Sequence, residues 1–193
     1  MADLILADER RGPVKLLDDV GIRRLLGEPR RIAVVGASSN PARPSFGVFE
    51  YLLSAGFDCV PVNPNETTVL GRPAFATLAE AVAATGSVDI VDVFRRPELC
   101  VDHAREAVAI GAQCLWLQLG VVNWEAAAIA AAGGLSIVMD RCTAVEHRRL
   151  GWARTAFTNQ PRTGMSRSAC GGSHDAKIAP PSPGLGVTIR AWR

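Results

Sequence analysis

The chain has 193 residues, 48% of them hydrophobic and 21% charged, a composition that suits one globular domain with a buried core and excludes a disordered or fibrous chain. Its net charge of +2 divides into −3 over residues 1–150 and +5 over residues 151–193, so the acidic body offers no broad surface for nucleic acid. No apolar run approaches the roughly 20 residues of a membrane helix, no basic segment precedes the short apolar one at the N-terminus, and five scattered cysteines lack C-x-x-C spacing, so a reducing, cytoplasmic setting is expected.

From the N-terminus, a helix is expected near residues 16–26 and a strand at residues 32–35, where Ile32-Ala-Val-Val is apolar and β-branched. The strand empties into Gly36, Ala37, Ser38, Ser39, Asn40 and Pro41, a small polar loop closed by an Asn-Pro turn. Residues 45–55 then place Val48, Tyr51, Leu52 and Ala55 on one helical stripe. The loop therefore lies at a helix N-terminus, where free N–H groups and the positive dipole end favour an anion without a lysine or a metal.

Further strands are expected at residues 59–62, 90–94, 114–118 and 136–139, with helices at 78–84, 98–110 and 124–132 between them. Pro97 suits the first turn of one helix, Gly111 the stop after it, and Asn123 the cap of the next. Five strands alternating with helices predict an α/β fold: a doubly wound, five-stranded parallel sheet with helices on both faces. In such sheets ligands bind outside the carboxyl ends of the strands, where strand order reverses.

The loops at those ends are the Gly36 loop, Val62-Asn63-Pro64-Asn65, Phe94-Arg95-Arg96-Pro97, Leu117-Gln118-Leu119-Gly120 and Met139-Asp140-Arg141-Cys142. Each turns small, polar or basic directly after an apolar strand, so the edge reads as a single binding rim. After residue 150 Gly, Pro and Ser dominate with no amphipathic period, and residues 151–193 are expected to be a disordered basic tail. Its six basic residues are dispersed, which argues against an arm for RNA or acidic lipid.

A dinucleotide fingerprint needs glycines at positions 36, 38 and 41, and this chain has Gly36, Ser38 and Pro41. An acidic residue at the end of the second strand is also missing, its place taken by Val62-Asn63-Pro64, with Glu66 arriving only after the turn. Nicotinamide binding is therefore not the leading expectation. No Gly-Lys-Ser/Thr loop is present, and His103, His147 and His174 have no metal-ligand spacing.

The run Asn40-Pro-x-Arg43-Pro-Ser45, the Pro61-Val-Asn63-Pro64 turn, Val91-Asp-Val-Phe94-Arg95-Arg96, Trp116-Leu117-Gln118-x-Gly120 and Val138-Met-Asp-Arg141-Cys142 with Glu146-His-x-Arg-Leu150 carry a resemblance. Residues 16–150 resemble the stand-alone bacterial CoA-binding proteins, a family similar to the N-terminal domain of the succinyl-CoA synthetase alpha subunit. The resemblance implies a Rossmann-like domain over residues 1–150 that binds coenzyme A or an acyl-CoA along the rim. It places Ser38 to Pro41 at the phosphates, Asn63 to Asn65 on the adenosine side, and Phe94 to Arg96 and Leu117 to Gly120 along adenine and pantetheine, with Asp140 to Cys142 closing the pocket. The synthetase domain has a lysine where this chain has Asn65-Glu66. Arg43, Arg95, Arg96 or Arg141 would then supply positive charge, since a guanidinium grips phosphate bidentately.

Plainer roles compete for several of these residues. Arg95 and Arg96 suit plain surface positions or pairing with Asp92 and Glu98, Asn63-Pro64 suits an ordinary turn, and Trp116 and Met139 suit the core. Gln118, at a strand mouth, is the better ligand contact. Cys142 near His147 invites a nucleophilic dyad, but no residue is placed to orient the histidine. The leading expectation is binding without catalysis by a small-molecule site, with a homo-oligomer or a protein partner left open. The alternative is an enzyme, either a reduced acyl-CoA ligase-like subunit or an NAD(P)-dependent oxidoreductase.

Overall fold

The computed structural model describes residues 14–150, and the expected tail, with His174 and Cys170, lies outside the described residues. Its order is α1 (Asp19–Leu26), β1 (Arg31–Val35), α2 (Pro44–Ser54), β2 (Asp58–Val62), β3 (Thr68–Val69), β4 (Arg72–Pro73), α3 (Leu78–Thr85), β5 (Ile90–Val93), α4 (Cys100–Ala109), β6 (Cys114–Leu117), α5 (Trp124–Ala132), β7 (Ser136–Val138) and α6 (Thr143–Arg149). The five long strands pair in parallel in the order β2-β1-β5-β6-β7. This is the expected Rossmann-like sheet, and each long strand departs from its predicted bounds only at the ends.

Alternation along the strands divides the core in two. Ala33, Val35, Val91, Val93, Leu115 and Leu117 face Leu78, Ala81, Ala104, Ala107, Ala126 and Ala130 of α3, α4 and α5. Ile32, Val34, Ile90 and Trp116 face Ile22 and Leu26 of α1 and Phe49 and Leu52 of α2. Helices thus cover both faces, which is why the strands read as continuous apolar runs rather than alternating ones. Trp116 and Met139 are core residues, as expected.

Four local features differ from the sequence expectation. Leu16 pairs with Ile137 as an isolated parallel bridge, so α1 starts only at Asp19, where the Asp18 carboxylate accepts from the Gly21 N–H at 2.8 Å. The helix expected at 98–110 opens as one 3-10 turn, Pro97–Leu99, before α4. The short antiparallel pair β3-β4 was not expected; its two-residue turn has Leu70 at φ 48 and Gly71 at φ 77, the both-positive pattern of a hairpin turn. Helix α6 was also not expected. Among the described residues no helix is long and apolar enough to cross a membrane.

Candidate functional site

Strand order reverses between β1 and β5, because the chain leaves β1 toward β2 on one side and returns to β5 on the other. The Gly36 loop and the Phe94 loop therefore meet across a crevice at the C-terminal edge. They meet closely: Gly36 adopts φ +85, and a Cβ there would stand 2.7 Å from the Phe94 carbonyl oxygen. Glycine is required both by the left-handed backbone and by this approach.

The crevice opens into a cleft of about 760 Å³, within the range of cofactor sites. Its walls include Gly36, Ser38, Arg43, Ser45, Asn63, Asn65, Phe94, Arg95, Arg96, Gln118, Gly120 and Cys142, all singled out from the sequence. Pro44, Val48, Glu66, Pro97, Leu119 and Val121 also line it and were not chosen. Signals for them existed: Val48 lies one turn beyond Ser45 on the α2 stripe, Pro44 and Pro97 sit at helix starts on the rim, and Leu119 and Val121 flank Gly120. Ala37, Ser39, Asn40, Pro41, Pro64, Leu117 and Arg141 do not line the cleft, and Ala37 and Leu117 are fully buried.

The Gly36 loop is held by its own hydrogen bonds. Gly36 N–H donates to Val62 O, Ala37 N–H to Val34 O and Arg43 N–H to Asn40 O. Asn40 N–H donates to Ser38 Oγ and Ala42 N–H to Asn40 Oδ1. Ser39 N–H and the Ser38 hydroxyl both donate to Glu66 Oε1, at 2.9 and 3.0 Å. Two loop amides remain, those of Ser38 and of Ser45 in the first turn of α2, with no acceptor among the described residues. Both residues line the cleft, so the loop offers two N–H groups and a helix N-terminus to an anion.

Positive charge converges there as well. Among the described residues Arg43, Arg95 and Arg96 form no ion pair, and the buried Arg95 Nε meets no acceptor. Of the plainer alternatives, pairing with Asp92 or Glu98 is not what the structure has, whereas Arg96 is exposed at the surface. Arg141 is different: its guanidinium lies 2.9 Å from Asp19 and 3.4 Å from Glu146, while its carbonyl accepts from Trp116 Nε1 at 2.6 Å. Its charge serves the seam between α1 and α6.

Several polar residues of the rim act inward. The fully buried Asp92 accepts from Gln118 Nε2 at 2.8 Å and from the Thr143 hydroxyl at 2.7 Å, and Gln118 Nε2 also contacts Thr143 Oγ1. Burial pushes the Asp92 carboxyl up to about 7, against the opposing pull of the Thr143 and Gln118 bonds. The Gln118 nitrogen is thus committed to the interior, leaving its carbonyl oxygen for the cleft. Asn63 joins β2 to the Gly36 loop, donating from Nδ2 to Ala37 O at 2.7 Å and accepting from Asn65 N–H at 3.1 Å. Gly120 N–H donates to Asp140 Oδ1 at 2.7 Å. His147 shares its Nδ1 with the Tyr51 hydroxyl at 2.8 Å and packs edge-on against Phe57. Burial, with Arg148 adding to it, holds the His147 imidazole below its ordinary value.

Comparison with known proteins agrees with this architecture. Residues 30–148 match the model of a family described as a CoA binding domain. The uncharacterized protein YneT of Bacillus subtilis is 39% identical over 126 residues, 65% of this chain and 91% of its own. A hypothetical protein from Pyrococcus horikoshii, of known structure, is 37% identical with a TM-score of 0.66, over 74% of this chain and 99% of its own. A dinucleotide-forming acetyl-coenzyme A synthetase of Ca. Korarchaeum cryptofilum shares the fold at 20% identity and a TM-score of 0.53, over 62% of this chain and 28% of that one.

Proposed function

Because the chain belongs to the CoA binding domain family, we propose that its rim cleft holds coenzyme A or an acyl-CoA and does so without chemical turnover. The observation that carries the reading is the convergence on one cleft of the Ser38 and Ser45 amides, which have no acceptor among the described residues, with Arg43, Arg95 and Arg96, which have no ion-pair partner among them. Backbone N–H groups at a helix start and guanidinium forks are the donors a pyrophosphate needs. Val48, Phe94, Leu119 and Val121 give the cleft an apolar wall suited to adenine and pantetheine.

Binding rather than catalysis is supported by how the reactive groups are engaged. His147 Nδ1 is bonded to Tyr51, not to Cys142, and Asp92 is enclosed by Gln118 and Thr143. Calorimetry of the full chain with CoA, acetyl-CoA and NADH tests the reading. CoA or acetyl-CoA should bind one per chain, NADH should not, and a mixture of ATP, acetate and CoA should yield no acetyl-CoA. Tight NADH binding or turnover of the mixture would overturn it in favour of the oxidoreductase or the ligase-like subunit.

A further inference from the structure

The Gly36 loop already carries an anion of its own. Glu66, four residues beyond the end of β2, places one carboxylate oxygen 2.9 Å from the Ser39 nitrogen and 3.0 Å from the Ser38 hydroxyl. Hydrogen bonds from Ser39 and Ser38 keep its carboxyl below the ordinary glutamate value, so it is ionised at neutral pH. Of the loop's donors, the Ser38 and Ser45 N–H groups have no acceptor among the described residues, while the hydroxyl of the cleft-lining Ser38 and the amide of the adjoining Ser39 are the ones Glu66 holds. Glu66 itself lines the cleft.

We propose that Glu66 is an internal anion that occupies part of the phosphate-binding loop, and that a phosphate of the ligand displaces it and takes its donors. The identity of that ligand rests on the CoA reading above; the displacement itself concerns any phosphate. Two anions cannot share these donors at low cost. The Ser38 hydroxyl has one hydrogen and the Ser39 amide one, both directed at Oε1, and a phosphate bonded to the adjacent Ser38 amide would lie beside a full negative charge in a partly enclosed cleft. The consequence is that Glu66 sets the affinity threshold. A ligand must bring enough negative charge to Arg43, Arg95 and Arg96 to outweigh the carboxylate it expels, so phosphorylated ligands are retained and simple carboxylates are not.

A competing role is that Glu66 merely braces the loop in its binding shape, and the two roles predict opposite orders. Wild type, Glu66→Gln and Glu66→Ala are titrated with CoA and separately with inorganic pyrophosphate, with the Ser39 amide followed by nitrogen-15 NMR. Displacement predicts tightening in the order wild type, Gln, Ala, by about tenfold overall, the worth of a charge-assisted hydrogen bond. It also predicts that adding ligand to wild type moves the Ser39 amide resonance. Unchanged or weakened pyrophosphate binding in both variants overturns the proposal whatever CoA does. If pyrophosphate tightens in the variants while no form of the protein binds CoA, the displacement stands and the CoA reading falls. Gln retains the acceptor and the size of Glu, so the loop keeps its brace in that variant.

Discussion

The two ends of the one parallel sheet treat their charges in opposite ways. At the N-terminal edge, Arg31 Nε bonds Asp58 at 2.7 Å, Arg72 joins the same carboxylate at 3.0 Å, and Arg30 lies 3.2 Å from Gln113 and 3.9 Å from Asp89. Asp89 in turn accepts from the Arg31 amide at 3.0 Å and from Gln113 Nε2 at 2.7 Å. At the C-terminal edge, Arg43, Arg95 and Arg96 line a cleft with no ion pair among the described residues. Charge at the first edge holds the fold together; charge at the second is available to something else. Cleft-lining cations with no ion-pair partner among the described residues distinguish the two ends more sharply than basic character does, since both ends are rich in arginine.

The largest expected effect separates glycines that share a positive φ. Gly36→Ala puts a methyl 2.7 Å from the Phe94 carbonyl oxygen at φ +85, whereas Gly134→Ala, at φ +83 beside the N-terminal edge, meets nothing within 4 Å. Gly134→Ala should cost about 1 kcal/mol, the strain of the left-handed backbone alone. Gly36→Ala should cost about 3 kcal/mol, because the clash is with backbone, and it should abolish CoA binding by pushing the Phe94 loop away. Urea unfolding of both variants measures the difference; equal costs would show that the two loops do not press on each other.

Next comes a pH effect rooted just beneath the rim. Asp92 titrates near 3.8 when unfolded and at about 7 in its buried site, so the folded state binds a proton more tightly. Its contribution to stability is fully present below pH 3.8, declines as pH rises, and is lost above about 7, at about 1.4 kcal/mol per pH unit for a whole proton. His147 acts the other way, because its depressed imidazole costs stability as pH falls below 6.5. Asp92→Asn should therefore gain stability relative to the parent as pH rises from 5 to 8. A constant difference between the two proteins across that range would mean that Asp92 is ionised throughout.

Legibility in the sequence followed the range of the interactions. The long strands and α5 were readable because their causes are local: β-branched runs, and an Asn123 side chain that accepts from Ala126 N–H three residues on. Helix α6 was not, because its buried face is mostly polar, with Thr143, Glu146 and His147 beside Ala144, and two of these side chains, Thr143 and His147, find their partners Asp92 and Tyr51 elsewhere in the chain. The rim loops could be chosen from the strand ends, but not the roles within them. That Gln118 nitrogen turns inward, that Arg141 serves Asp19, and that Glu66 reaches back 27 residues to Ser39 are consequences of three-dimensional placement. No periodicity encodes them.

A matched pair of arginine substitutions tests the contrast between the edges directly. Arg96→Ala should weaken CoA binding about tenfold through loss of one charge-assisted contact, and leave the urea midpoint within about 0.5 kcal/mol of the parent. Arg31→Ala should do the reverse, costing about 1 kcal/mol of stability with CoA affinity unchanged, since its bonds to Asp58 and the Thr85 carbonyl serve only the fold. Loss of affinity in Arg31→Ala would mean that the sheet transmits strain from one edge to the other.

The smallest effect is the most specific to the N-terminal edge. Arg31, by hydrogen bond and charge, and Arg72 beside it hold the Asp58 carboxyl below its ordinary value of 3.8. A depressed carboxyl contributes stability that is present above pH 3.8 and lost as pH falls through the lower folded value, the opposite sense to Asp92. Because the Asp58 side chain is 42% exposed, solvent screens the pair, and Asp58→Asn should cost under about 1 kcal/mol at pH 7. The deficit should shrink as pH falls below 3.8 and on adding salt, as expected of a screened surface pair. A deficit that survives both treatments would show that Asp58 acts through packing at the start of β2 rather than through charge, and would remove the electrostatic half of the contrast between the two edges.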